Sequence, residues 1–504
     1  VKEPMKRLAV LLMAAIPIAA LLSFGSFGAS AAPLGCTAPA VSAPPGARIE
    51  SVDAARVADP AHCLVTVTLT HDGGDHVKVA VALPESGWTG RLQAVGGSAY
   101  AAGDFGAPLA QAVRDGYAGV TTDAGVSADP LNTSWALKPD GELNTTLLTN
   151  FATRSVHESA VIGKEVTRNF YRQPITYSYW NGCSTGGRQG YAEAQHHPGD
   201  FDGVLAVAPA VHWGQFAVAT LWPHVVMNQE HHSPGPCVLN AFREAAIKAC
   251  DPRDGVVNGI VDQPDQCGYD PRQLVGTKVL CDGEEVTVTA ADADVVRKIW
   301  AGPVDEHGRK LWAGLPKGAD FTWLTGPTGF PVAAAWVKDF VKKQPGFDTS
   351  TITYPQFAEL FRQSVREFDD VIGTADPDLS DFRRSGGKLL SWVGADDQLI
   401  PPDGVVRYRE AVERKLGGAH RVDEFYRLFF APGVEHCFGG VGPAPKDPLG
   451  ALVNWVEHDK APDVLRAEKV EGDRIVTRDL CRYPRVSRYT GHGDPAQAAN
   501  YRCR

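Results

Sequence analysis

Beyond its first few residues the chain carries no long block of lysine or arginine, and its net charge is −10. A polyanion-binding protein neutralises phosphates with clustered basic side chains, so this balance argues against nucleic acid as a partner. After residue 22 no stretch is long and apolar enough to cross a bilayer. No internal repeat and no low-complexity tract occurs, which sets aside solenoids and repeat arrays. What remains is an ordinary globular composition. At 504 residues, 44% of them hydrophobic, there is material for more than one compact unit.

The N-terminus reads as an export signal. Lys2, Lys6 and Arg7 precede an apolar run over residues 8–22, and Ala29-Ser30-Ala31 has the small-x-small pattern of a cleavage site. Residues 1–31 are therefore expected to be removed, leaving a secreted, extracellular protein with no membrane attachment. Ten cysteines, an even number, suit an oxidising compartment. Short loops suggest Cys36 with Cys63, Cys250 with Cys267 across an acidic stretch, and Cys481 with Cys503 in the tail. Cys183 and Cys437 are set aside for a reason given below, and Cys237 with Cys281 then follows by elimination.

Alternating apolar residues mark strands over residues 63–82, with Asp72-Gly73-Gly74 as a turn between them. Shorter strands are expected at 91–95, 119–122, 177–180 and 204–207. Apolar residues recur at helical spacing over 155–170, and a second helix follows residue 184 to about 197. This is the rhythm of a mostly parallel α/β sheet. It breaks over residues 212–374, which are rich in Trp, Pro and Gly, and returns at 388–393 and 425–430. The expected architecture is a mostly parallel α/β core in two parts, 32–211 and 375–504, with residues 212–374 inserted between them.

Gly182-Cys183-Ser184-Thr185-Gly186 fits G-x-S-x-G between an expected strand and helix. A serine there sits on a strained turn that exposes its hydroxyl, and small flanking residues let strand and helix close around it. The helix N-terminus aims its amides at a developing oxyanion. Ser184 is thus the candidate nucleophile. Its partners should follow in the order acid, then histidine. The strand ending near residue 393 runs into Gly394-Ala395-Asp396-Asp397-Gln398-Leu399-Ile400-Pro401, where Gly-x-x-Asp-x-x-Ile-Pro selects Asp397 and leaves Asp396 as runner-up. The last core strand runs into Val434-Glu435-His436-Cys437, making His436 the candidate base. Cys183 precedes Ser184 and Cys437 follows His436. If nucleophile and base touch, these two cysteines can approach bridging distance and clamp them together.

The motif Cys183-Ser184-Thr185-Gly186-Gly187-Arg188-Gln189-Gly190, the Asp397 loop and His436-Cys437 together resemble the tannase and feruloyl esterase family. The resemblance covers about residues 90–440. It implies an α/β-hydrolase with a large lid and hydrolysis of aromatic-acid esters such as hydroxycinnamates, gallates or terephthalate monoesters. It also implies an oxyanion loop at Gly96-Gly97, so that the amides of Gly97 and Thr185 are the expected oxyanion donors. Cys250-Asp251-Pro252-Arg253-Asp254-Gly255-Val256-Val257-Asn258-Gly259-Ile260 resembles the family's lid calcium loop. It implies side-chain ligands from Asp251, Asp254 and Asn258 and carbonyl ligands from Val256 and Ile260. Alternating oxygen donors suit a hard cation, although Asn258 stands where an acid is more usual. A feruloyl or other plant cell-wall ester is the first expectation for substrate. Tannase and terephthalate monoester activities remain open, as do a peptidase and an inactive hydrolase fold that binds phenolics. The lid tryptophans Trp213, Trp222, Trp300, Trp312, Trp323 and Trp336 could stack on a phenolic ring, though a core role is the ordinary fate of such residues.

Overall fold

Valine and leucine alternation builds the first strands. The computed structural model describes residues 35–72 and 74–504, so the export-signal reading of residues 1–31 lies outside the described residues. β1 (Arg48–Val57), β2 (His62–Thr70) and β3 (Val77–Pro84) form an antiparallel edge. Val65, Val67 and Leu69 of β2 and Val77, Val79 and Val81 of β3 are wholly buried. β4 (Arg91–Val95), β5 (Ala118–Thr122), β6 (Tyr177–Cys183) and β7 (Gly203–Val207) continue the sheet. Strands β5 and β7 are buried at every residue, as strands covered on both faces must be.

β10 (Lys388–Gly394) and β11 (Tyr426–Ala431) complete a nine-stranded sheet in the order β1-β2-β3-β5-β4-β6-β7-β10-β11. From β5 to β11 every pairing is parallel. Four helices follow the first strands: α1 (Ala107–Arg114), α2 (Thr145–Thr149), α3 (Ser155–Tyr171) and α4 (Thr185–His196). α4 is buried along almost its whole length. That explains its glycines: a Cβ at Gly190 would lie 2.7 Å from the Trp180 ring.

Between β7 and β10 the chain adds no strand to this sheet, only the small hairpin of β8 (Lys278–Cys281) and β9 (Glu284–Thr287). Its helices enclose a second core that also takes in Tyr100, Trp135 and Phe151 from the first part of the chain. Aromatic packing joins the two: Tyr100 stacks on Phe340 at 5.6 Å, and Trp336 on Phe340 at 4.6 Å. The Tyr100 hydroxyl also donates to the Val332 carbonyl at 2.8 Å. The inserted segment is thus seated on the loop that follows β4.

Two regions were not expected from the sequence. β1 alternates exposed and half-buried residues and carries Arg48, Glu50, Asp53 and Arg56, so an edge strand hides its period behind charge. Near the C-terminus, β12 (Ala444–Pro445), β13 (Val464–Glu471) and β14 (Arg474–Cys481) make a separate antiparallel sheet.

Candidate active site

Three loops meet at the carboxyl ends of parallel strands, where open α/β sheets place their crevices. Ser184 follows β6, Asp397 follows β10 and His436 follows β11. Ser184 has φ 61° and ψ −120°, a left-handed conformation that strains any residue with a Cβ. Its neighbours explain how the turn closes. A Cβ on Gly182 would stand 2.5 Å from the Gly186 backbone, and one on Gly187 would stand 2.5 Å from the Val207 carbonyl. The Ser184 amide donates to the Val207 carbonyl at 3.0 Å, pinning the turn to β7. The first turn of α4 contains no acidic residue, so nothing offsets its positive end.

Asp397 is wholly buried and its carboxylate is shared among three donors. Oδ1 accepts from the amides of Leu399 at 3.0 Å and Ile400 at 2.8 Å, and Oδ2 lies 2.8 Å from His436 Nδ1. The His436 amide donates to Gln398 Oε1 at 3.1 Å, fixing the loop as well as the ring. Asp396 points elsewhere. Its Oδ1 is buried without a partner, and burial pushes its carboxyl up to about 7. Of the two neighbouring acids, then, Asp397 is the one on the histidine.

Cys183 and Cys437 are bridged, with Cα atoms 6.0 Å apart across 254 residues of sequence. The bridge ties the residue before Ser184 to the residue after His436. The other pairs are Cys36–Cys63, Cys237–Cys281, Cys250–Cys267 and Cys481–Cys503, and no cysteine among the described residues is free. These are the partners read from the sequence.

The oxyanion donors need a correction. Thr185, at the first position of α4, is held by its hydroxyl, which donates to the Ala99 carbonyl at 2.6 Å. The Gly97 amide, however, already donates to Gln189 Oε1 at 3.0 Å. Gln189 also donates from Nε2 to the Ala102 carbonyl at 2.8 Å, so it fastens the whole loop to α4. Gly97 is needed for space instead: a Cβ there would lie 2.0 Å from the Ala101 carbonyl. Ala99, two residues on, has φ 44° and faces Thr185 through that hydroxyl contact. Sequence reasoning passed over Gln189, and over Arg188, whose buried guanidinium donates to the carbonyls of Ala152 and Phe151. Burial without an anionic partner pushes Arg188 down to about 9. Both residues stand in the quoted motif, one turn after the nucleophile, which was the available signal.

Five of the six tryptophans named in the inserted segment, Trp213, Trp222, Trp300, Trp312 and Trp336, are buried, and Trp323 is exposed. The core role therefore holds for those five. A cavity of about 610 Å³ is lined by residues such as Trp300, Lys317, Arg407 and Tyr483, and by none of Ser184, Asp397 and His436.

The acidic loop at residues 250–260 is closed by the Cys250–Cys267 bridge. Asp251 accepts from the amides of Asn258 at 3.1 Å and Gly259 at 2.8 Å. Asp254 Oδ1 accepts from Val256, while its Oδ2 is buried without a hydrogen bond. Burial and the neighbouring Asp262 charge push Asp254 up. Arg478 pairs with Asp262 and stands 4.0 Å from Asp254, supplying part of the missing positive charge. An orphaned carboxylate oxygen in an all-oxygen loop fits a hard divalent cation.

Comparison with known proteins adds the context. A family model described as "Tannase and feruloyl esterase" matches residues 63–504. A protein from Arthroderma benhamiae named "Probable feruloyl esterase" is 48% identical over 458 residues, covering 88% of this chain and 85% of that one. Among solved structures, a tannin acyl hydrolase from Aspergillus niger superposes with a TM-score of 0.84 at 27% identity, over 92% of this chain and 93% of the other. Feruloyl esterase B from Aspergillus oryzae gives 0.77 at 26% identity, over 91% and 97%.

Proposed function

The chain belongs to the tannase and feruloyl esterase family and is a carboxylic ester hydrolase, and from that premise we propose that it cleaves esters of phenolic aromatic acids, feruloyl esters first. The single observation behind the mechanism is the joined constellation: Asp397 on His436 at 2.8 Å, and a disulfide binding the His436 loop to the Ser184 turn. A histidine with Nδ1 on a buried carboxylate presents Nε2 as a base.

In this reading His436 Nε2 takes the Ser184 proton as Oγ attacks the ester carbonyl. The Thr185 amide holds the oxyanion, with Ala99 rather than Gly97 offering the second amide. Each such donor is worth roughly 3 kcal/mol. Asp397 keeps the ring in the correct tautomer and stabilises its cation. His436 returns the proton to the leaving alcohol as the carbon–oxygen bond breaks. Water, deprotonated by His436, then releases the acid and restores Ser184.

Calcium fits the Asp251–Ile260 loop, with Asp251, Asp254 and Asn258 as side-chain ligands and Val256 and Ile260 as carbonyl ligands. Its role there is structural. Export follows from the N-terminal signal reading, and five disulfides support an oxidising destination. Among the described residues no helix is long and apolar enough to cross a membrane.

The test is release of ferulate and gallate from their methyl esters by the wild type beside Ser184→Ala. Loss of several orders of magnitude in kcat with unchanged folding is expected. A ferulate preference supports the first substrate, and a gallate preference moves the assignment to tannase. Hydrolysis of neither ester by the folded, calcium-supplied wild type overturns the phenolic-ester reading.

A further inference from the structure

The opposite end of α4 holds a cluster that the esterase chemistry does not use. His157 stands in the first turn of α3, His197 caps α4, and Asp200 follows in the turn before β7. His157 Nδ1 lies 2.5 Å from Asp200 Oδ2, and the two imidazoles stack at 3.9 Å. One ligating atom from each of the three residues lies within 4.8 Å of the others, and all three are half-buried, so the group is reachable from solvent.

A second observation comes from Glu193. It sits four residues before His197, on the same face of α4. Only 1% of it is exposed, yet neither carboxylate oxygen has a hydrogen-bond partner. It faces Asp200 and feels the charge of Lys164. Lys164 does not resolve this crowding, because its ammonium is committed to the Asp200 backbone carbonyl and lies 5.8 Å from the Phe201 ring centre. A buried carboxyl left without a donor beside a second carboxylate is costly unless it holds a proton or something positive binds there.

We propose that His157, His197, Asp200 and Glu193 form a structural site for one divalent transition-metal ion of the zinc type. Two imidazoles and two carboxylates match that ion's preference for mixed nitrogen and oxygen donors, whereas calcium and magnesium favour all-oxygen shells. The two carboxylates neutralise its charge. His157, His197 and Asp200 already lie within reach of one ion, and Glu193 closes the tetrahedral shell by turning toward them, leaving no position for a reacting water. Ligation turns one stacked ring about χ2, a broad torsion, as the ion replaces the proton between His157 and Asp200. The site lies roughly 18 Å from Ser184, the length of α4 at 1.5 Å per residue. There it would fasten the start of α3 to the far end of the helix that carries the nucleophile.

The experiment uses the full chain, stripped of metal, refilled with excess calcium, and titrated with Co²⁺ as a visible probe and then Zn²⁺. One Co²⁺ per chain, with the absorption of a four-coordinate ion and stoichiometric displacement by Zn²⁺, is expected. His157→Gln and His197→Gln should each weaken uptake beyond the roughly 10–100-fold that loss of an outer-shell partner costs. Absence of one-to-one uptake by the wild type, or uptake unchanged in both variants, overturns the site. Should a variant fail to fold, anomalous diffraction from a zinc-soaked wild-type crystal decides. A peak among the four side chains supports the proposal, and no peak there refutes it.

Discussion

The chain contains a second histidine held by buried carboxylates, and the contrast with His436 is instructive. His71 Nδ1 lies 2.8 Å from Asp75, and its Nε2 lies 2.8 Å from Glu158. His436 has the same Nδ1 contact with Asp397, also at 2.8 Å. What separates them is the other nitrogen. On His71 it is occupied by Glu158, so the ring cross-links β2, the turn after it and α3. On His436 the carboxylate takes one nitrogen, and the neighbouring loop is bridged to a strained serine. A histidine–carboxylate pair becomes a candidate base only when its second nitrogen is left to a nucleophile.

The strongest way to break that contrast is to remove each carboxylate in turn. Asp397→Asn is expected to lower kcat by about 10⁴-fold while the protein stays folded, because the ring takes the wrong tautomer. Asp75→Asn should leave kcat of the folded enzyme unchanged and remove about 3–5 kcal/mol of stability, by stranding buried charge. Urea denaturation alongside ester hydrolysis separates the two. A comparable kcat loss in Asp75→Asn would erase the distinction.

The disulfides sharpen it next. Replacing both Cys183 and Cys437 with alanine should cost roughly 5 kcal/mol in the chain-entropy model, strain reducing the figure. It should also lower kcat, since it frees the two catalytic loops. Removing Cys481 and Cys503 should destabilise the protein without touching kcat. Equal kcat in both double variants would show that the long bridge is only a staple.

Calcium removal extends the comparison to a carboxylate that lacks its partner. Chelation should lower Tm, and calcium restored to 100 times Kd should return about 2.7 kcal/mol. A Tm indifferent to chelator counts against the Asp251–Ile260 loop as a site. A pH-dependent effect belongs to Asp396, raised to about 7 from 3.8 by burial. Between those values the folded state binds more protons than the unfolded one, so stability falls as pH rises from about 4 to 7. Asp396→Asn should flatten that slope and raise Tm by a few degrees at pH 8, read by calorimetry at pH 8 and pH 4.5. An unchanged slope would mean that Asp396 is solvated.

Much of this site was legible because its signals are local. G-x-S-x-G lies between a strand and a helix. The Asp397 loop and the His436 loop each follow a strand, and their cysteines advertise their meeting. The helix expected over 155–170 is α3 within a residue. The illegible parts depend on distant chain. Gly97 was misassigned because the partner of its amide, Gln189, arrives from 92 residues away. β1 was missed because an edge strand needs only one covered face, and its charges mask the alternation. The cluster at His157, His197 and Asp200 joins two helices that sequence spacing does not connect.

The Cys183–Cys437 bridge also bears on how the molecule is made. Cys183 leaves the ribosome first and its partner 254 residues later. At roughly 5–20 residues per second that interval is on the order of tens of seconds. Four other cysteines emerge meanwhile, and each finds its mate within 44 residues or fewer. The short rings can close early and take those thiols out of competition, so Cys183 is still free when Cys437 emerges ahead of Cys481 and Cys503. Assembly of the catalytic loops is thereby deferred until the segment between them has been made and can be sealed.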